Sequence, residues 1–125
     1  MKKFDIFALH ADVCKTLANP KRLMILALLG RGENSVGQIA EAIQAPLPNV
    51  SQHLTVLKSQ HLVLARKEGQ TVYYRLADRR IIQACTLIRS VLLDQMKARG
   101  MEALETDVRY VVTVPRQPPS GGPIS

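Results

Sequence analysis

Between Pro48 and Leu76 the hydrophobic period of this chain changes within a few residues, and that change restricts its fold more than any other feature. In PNVSQHLTVLKSQHL, Val50, Leu54, Leu57 and Leu62 recur at helical spacing and leave Asn49, Ser51, Gln52, His53, Thr55 and Lys58 facing outward. Past Leu62 the period becomes two, with Val63, Ala65 and Lys67 on one strand and Val72, Tyr74 and Leu76 on the next. The turn between them is Glu68-Gly69-Gln70, where Gly69 can take positive φ. The expected unit is a polar-faced helix followed directly by a tight basic hairpin. Such a unit can lay its helix in a groove of double-stranded DNA and rest the hairpin on the backbone alongside. Short amide and hydroxyl side chains suit base edges, and lysine and arginine suit phosphates. The candidate contacts are therefore Asn49, Ser51, Gln52, His53, Thr55 and Lys58 on the helix, with Arg66, Lys67 and Arg75 on the hairpin. His53 has a competing role as a residue that caps or packs within the helix.

Upstream the chain reads as helical. Ile6, Leu9, Val13 and Leu17, with Phe7, Cys14 and Ala18 beside them, predict a first amphipathic helix that ends before Asn19-Pro20. Asn19 is placed to cap a second helix with Pro20 at its first position, which runs through KRLMILALL to Gly30 and is apolar enough to be the core. Gly32 to Asn34 read as a turn, and Ser35 as the cap of a third helix, VGQIAEAI, that stops before Ala45-Pro46. The polar-faced helix follows closely, so the two form a helix-turn-helix.

Beyond the hairpin, Asp78 is expected to cap a long helix from Arg79 to about Arg99, closed by Gly100. Its stripe of Ile81, Cys85, Ile88, Leu92 and Met96, widened by Ile82, Val91 and Leu93, exceeds what a small core needs and predicts a partner helix. Residues 1–100 are thus read as a DNA-binding domain with dimerisation helices, and residues 101–125 as an extension. Within that extension, Leu104 to Val114 are expected to form a short strand or a loosely docked segment, and PRQPPSGGPIS has the composition of a disordered tail.

Charge agrees with this assignment without proving it. Lysine and arginine outnumber aspartate and glutamate by 17 to 10, so a polyanion is the expected charged partner, with a merely solvated basic surface as the alternative. At 125 residues and 46% hydrophobic there is material for one core, and a domain of this size often gains stability by dimerising. No apolar run approaches the roughly 20 residues of a membrane span, and the N-terminal segment lacks a signal peptide's core, which predicts a cytoplasmic protein away from the membrane. Cys14 and Cys85 lie too far apart in sequence to suggest a disulfide framework and are expected as thiols. No Gly-rich phosphate loop or paired-carboxylate motif occurs, so neither enzymatic activity nor a cofactor is expected.

The order of these elements, with ANPKRLMIL at residues 18–26, SVGQIAE at 35–41, NVSQHLTVLK at 49–58 and RKEGQTVYYRL at 66–76, resembles the ArsR/SmtB family of bacterial winged-helix repressors. The likeness spans roughly residues 8 to 97. It implies a mainly α winged helix-turn-helix with a small β-hairpin, dimerising through its first and last helices. It also implies a homodimer that binds a palindromic operator and leaves it when an inducer arrives. The helix from Val50 to Lys58 would read the DNA, and Lys67 to Arg75 would form the wing.

In this family the inducer is often a metal ion, and the residues here do not match its sites. Where members that sense thiophilic metals carry Cys-x-Cys followed by Asp, this chain has Ser35, Gly37 and Gln38, none of them a soft ligand. Where members that sense zinc on the last helix carry Asp, His, His and an acidic residue, it has Asp78, Arg80, Val91 and Asp94. A carboxylate pair without imidazole is a poor tetrahedral zinc site, so no metal is expected. Cys14 and Cys85 remain as soft side chains on the two helices that the resemblance brings together. One reading makes them a sensor pair for oxidants, reactive sulfur or a thiophilic species; the other makes each a small buried hydrophobe. A winged-helix DNA-binding or protein-interaction module with no small-molecule inducer stands as the alternative function.

Overall fold

A computed structural model describes residues 3–102 of the chain. It contains five helices, α1 (Ile6–Leu17), α2 (Pro20–Leu29), α3 (Val36–Ile43), α4 (Leu47–Ser59) and α5 (Arg79–Ala98), and three strands, β1 (Asn34–Ser35), β2 (Val63–Glu68) and β3 (Thr71–Leu76). The expectations for Leu104 to Val114 and for the tail from Pro115 fall outside the described residues. Two compact units divide between Arg79 and Arg80.

In the first unit, α2 is the hub because its sequence leaves it no polar face. Ile25 to Leu29 are all buried, and Asn19 starts the helix as predicted, its Oδ1 accepting from the Arg22 N–H at 3.1 Å. Around α2 the core closes with Ile39 and Ile43 of α3, Val50, Leu54 and Leu57 of α4, and Leu62 and Val63 at the start of β2. Each fully buried aliphatic side chain contributes about 1.5–3 kcal/mol, so this cluster rather than helix propensity holds the short helices. Ser35 caps α3 in a reciprocal box: its Oγ accepts from the Gln38 N–H at 3.1 Å, while Gln38 Oε1 accepts from the Ser35 N–H at 2.8 Å.

The connection from α3 to α4 is tight because one left-handed residue reverses the chain. Gln44 has φ +52°, and the N–H groups of Gln44 and Ala45 return to the carbonyls of Glu41 and Ala40. The same device ends α4. His61 has φ +61°, its N–H bonds Lys58 O, and the Leu62 N–H bonds Leu57 O, which turns Leu62 into the core and launches β2. Each of these is a side-chain-bearing residue where glycine is usual, at a penalty of about 1 kcal/mol that the surrounding core outweighs.

The hairpin has the predicted period, with Val63 opposite Leu76, Ala65 opposite Tyr74 and Lys67 opposite Val72. Its loop narrows to Gly69-Gln70, with Gly69 at φ +62°. One expectation needs correcting. Asn34 is not part of a turn; with Ser35 it forms β1, which pairs antiparallel with Tyr74 and Tyr73 of β3 and makes the hairpin a three-stranded sheet in the order β1-β3-β2. The backbone groups of a segment between two helices need partners, and the outer edge of β3 supplies them.

α5, described by itself, divides its apolar residues between two faces. Ile82, Cys85 and Thr86 are buried, with Arg89, Leu93 and Met96 half-buried along the same side, whereas Leu87, Ile88, Val91 and Leu92 are 60%, 61%, 54% and 51% exposed. At helical spacing the centres of the two sets lie about 140° apart. The predicted dimer stripe therefore straddles both faces: Ile88 and Leu92 are exposed, Cys85 is buried, and Ile81 and Met96 are intermediate. Gly100, at φ +70°, ends the helix with the N–H of Met101 returning to Met96 O.

Candidate nucleic-acid interface

The outward side of α4 follows from its inward side. With Val50, Leu54 and Leu57 fully buried at i, i+4 and i+7, Asn49, Ser51, Gln52, Thr55 and Lys58 are left exposed along one surface. Thr55 is partly committed, since its Oγ1 donates to Ser51 O at 2.9 Å, yet its lone pairs stay available.

His53 differs from its neighbours. It is half-buried, and its Nδ1 accepts a hydrogen bond from Arg22 Nε at 3.2 Å. The same guanidinium donates from Nη1 to Thr16 O, 3.2 Å away in the last turn of α1. Burial, then Arg22, then Lys21, hold the imidazole below its usual pKa. Arg22, Ser51, Gln52, His53, Thr55 and Val56 line an open depression of about 460 Å³ on this surface. Arg22 lies on α2, outside the segment that marked the reading helix, and no local pattern points to it.

The wing carries less free charge than its composition suggests. Arg66 is bound by two carboxylates, meeting Glu33 at 2.6 Å and Glu68 at 2.6 Å. Its guanidinium also lies 4.6 Å from the ring centre of Tyr73, the residue opposite it across the hairpin. Arg66 and Arg75 both hold the Glu33 carboxyl below its usual range, the Arg66 hydrogen bond being the largest cause. Since Arg75 pairs with Leu64 in register, it shares a face with Arg66, whereas Lys67 belongs to the other face. Two arginines therefore sit with two glutamates on one side of the ribbon, and Lys67 stands apart from them, exposed near the tip.

The thiols are unlike each other. Cys14 is exposed on α1 and Cys85 is buried on α5. Arg89, one turn beyond Cys85, has its guanidinium pushed down by burial and held up by the nearby thiol, and its Nε is buried without a partner. Among the described residues no group of three or more His, Cys, Asp or Glu side chains is arranged to hold a metal ion, and no helix is long and apolar enough to cross a membrane.

Comparison with known proteins gives a consistent setting. The family model for bacterial regulatory proteins of the arsR family matches residues 19–64. The HTH-type transcriptional regulator KmtR of Mycobacterium tuberculosis is 38% identical over 79 residues, 63% of this chain and 61% of KmtR. MJ1325 of Methanocaldococcus jannaschii, an uncharacterized HTH-type transcriptional regulator, is 38% identical over 79 residues, 62% of this chain and 89% of that protein. Among solved structures, the homodimeric winged helix-turn-helix DNA-binding domain of Mb0332 from Mycobacterium bovis superposes with a TM-score of 0.63 at 38% identity. That likeness covers 74% of this chain and 90% of the other.

Proposed function

This chain belongs to the arsR family of bacterial regulatory proteins, and on that premise we propose that it is a transcriptional repressor that binds a palindromic operator as a homodimer and is released by an inducer. The observation that carries this reading is the exposed row of Asn49, Ser51, Gln52 and Thr55 on a helix whose opposite side is locked into the core. Side chains fixed in this way can hydrogen-bond base edges without ordering the helix first, and a rigid reader loses less entropy on binding. Two such helices related by a two-fold axis would meet successive major grooves about 34 Å apart.

Selection from a pool of random duplexes, followed by binding of the selected and scrambled sequences at about physiological salt, tests the reading. Preference for the selected duplex should be roughly a thousandfold or more. Gln52→Ala should lower that preference by about thirtyfold or more while leaving scrambled DNA unchanged, since the dimer loses one base contact in each protomer, each worth about 1–3 kcal/mol, and non-specific binding uses neither. Equal binding of selected and scrambled duplexes would instead leave a winged-helix module without sequence-specific control.

For the inducer, the proposal is a thiol-reactive species acting at Cys14 and Cys85. The support is the exposure of Cys14 and the half-buried guanidinium of Arg89 beside Cys85, a cation near enough to interact with that sulfur. Peroxide, polysulfide or trivalent arsenic should release wild-type protein from the selected duplex, and Cys14→Ser or Cys85→Ser should abolish that release. Release that persists in both variants would rule out the two cysteines as the sensor and favour a module without a thiol inducer.

A further inference from the structure

Arg22 joins three elements through one guanidinium. Its main-chain N–H is fixed by the Asn19 cap, its Nη1 bonds the Thr16 carbonyl at the end of α1, and its Nε bonds His53 Nδ1 in the middle of the outward surface of α4. An arginine has five donors and no acceptor, so the ring nitrogen it meets must offer a lone pair. The imidazole is therefore neutral, with its proton on Nε2, at the far side of the ring from Arg22. The charges that act on the ring are Arg22 and Lys21, both on α2 and both opposed to the imidazolium, while Ser51, Gln52, Thr55 and Val56 around the same depression carry none.

We infer that Arg22 is a positioning residue for sequence reading: it fixes His53 in one tautomer, so that the reading helix presents a neutral Nε2–H donor in the depression. The inference rests on the DNA-binding reading above. The partner it suits is a base-edge acceptor, such as a purine N7, a guanine O6 or a thymine O4, rather than a phosphate that any cation would hold. A second proton on the ring would place a donor on Nδ1 against the donor on Arg22, and that hydrogen bond would be lost. The same proton would add a positive charge to the DNA face. Selective and non-selective binding should then respond oppositely to acid. As pH falls through the range where histidine ordinarily titrates, about 6.5 and below, affinity for scrambled duplex should rise while preference for the selected duplex falls. Folding stability should move with the preference, since a histidine whose pKa is lowered on folding stabilises fully above its ordinary pKa and progressively less beneath it.

The experiment uses the full chain and the duplex selected from the random pool. In the wild type, nitrogen–proton correlation spectra should show His53 Nδ1 unprotonated at neutral pH, and preference for the selected duplex should fall about tenfold between about pH 7.5 and about pH 5.5. Arg22→Met should give mixed tautomers, a higher His53 pKa and a reduced preference already at neutral pH. Arg22→Lys provides a second variant that keeps the charge but not the fork, and should show the same changes more weakly. His53→Gln, whose amide can replace the Nε2–H donor and does not titrate, should retain most of the preference and flatten its pH profile. A protonated Nδ1 in the wild type, or a flat wild-type pH profile on a duplex that is otherwise preferred, would overturn the role of Arg22 while leaving the DNA reading intact. If selection yields no preferred duplex, both fall together.

Discussion

Ile88→Asp and Leu92→Asp are each expected to convert the protein to monomers at micromolar concentration and to lower affinity for the selected duplex by a hundredfold or more. These two side chains are 61% and 51% exposed on α5, flanked by Leu87 and Val91, so the face is a contiguous apolar strip on a helix whose other side is buried. Four neighbouring large aliphatics exposed at that level are what the proposed dimer contact would cover, and a carboxylate placed there would lose its hydration with no partner. The effect on DNA follows from linkage between heads: tethering two readers multiplies affinity by about a hundredfold to ten-thousandfold through effective concentration, and a monomer forfeits all of it. Gln83→Asp, at an exposed polar position on the same helix, is the control and should leave the dimer whole. Sedimentation decides the matter, and a wild type that is already monomeric would remove this face from the mechanism.

The division of α5 into a buried and an exposed apolar side shows what a sequence can and cannot convey. A stripe of Ile81, Cys85, Ile88, Leu92 and Met96 is visible from spacing alone, but spacing does not say which edge of a broad stripe is buried. Local signals did far better. Asn19-Pro20, Ser35 and Gly69 each act within a few residues, through a cap or a φ angle, and each lies where the pattern predicts. What stayed hidden is long-range pairing. β1 is two residues long and exists only because Tyr73 and Tyr74 lie alongside it. Arg66 meets Glu33 and Arg22 meets His53 across more than thirty residues of sequence, and no periodicity encodes either. Non-glycine residues at Gln44 and His61 likewise conceal two left-handed helix ends, which a search for glycine misses.

The wing gives the second large effect, because the three basic residues that look equivalent in sequence are in different electrostatic situations. Lys67→Ala is expected to shallow the dependence of log affinity on log salt by about two for the dimer, one phosphate contact in each protomer, and to weaken binding roughly fiftyfold at about 0.1 M salt. The loss should be alike for selected and scrambled duplexes, since a phosphate contact carries no sequence. Arg66→Ala should barely change the slope. Its charge is already met by Glu33 and Glu68, and a phosphate would have to displace a two-pronged carboxylate contact to reach it. Arg75→Ala should fall between the two, its charge being offset in part by Glu33. Glu33→Gln then completes the series: with that carboxylate gone, Arg75 loses its offset and Arg66 keeps only Glu68, so the slope should steepen relative to the wild type. Salt titrations on the four variants resolve these cases, and equal slopes for Lys67→Ala and Arg66→Ala would show that the Glu33–Arg66 pair opens on DNA instead of withholding its charge.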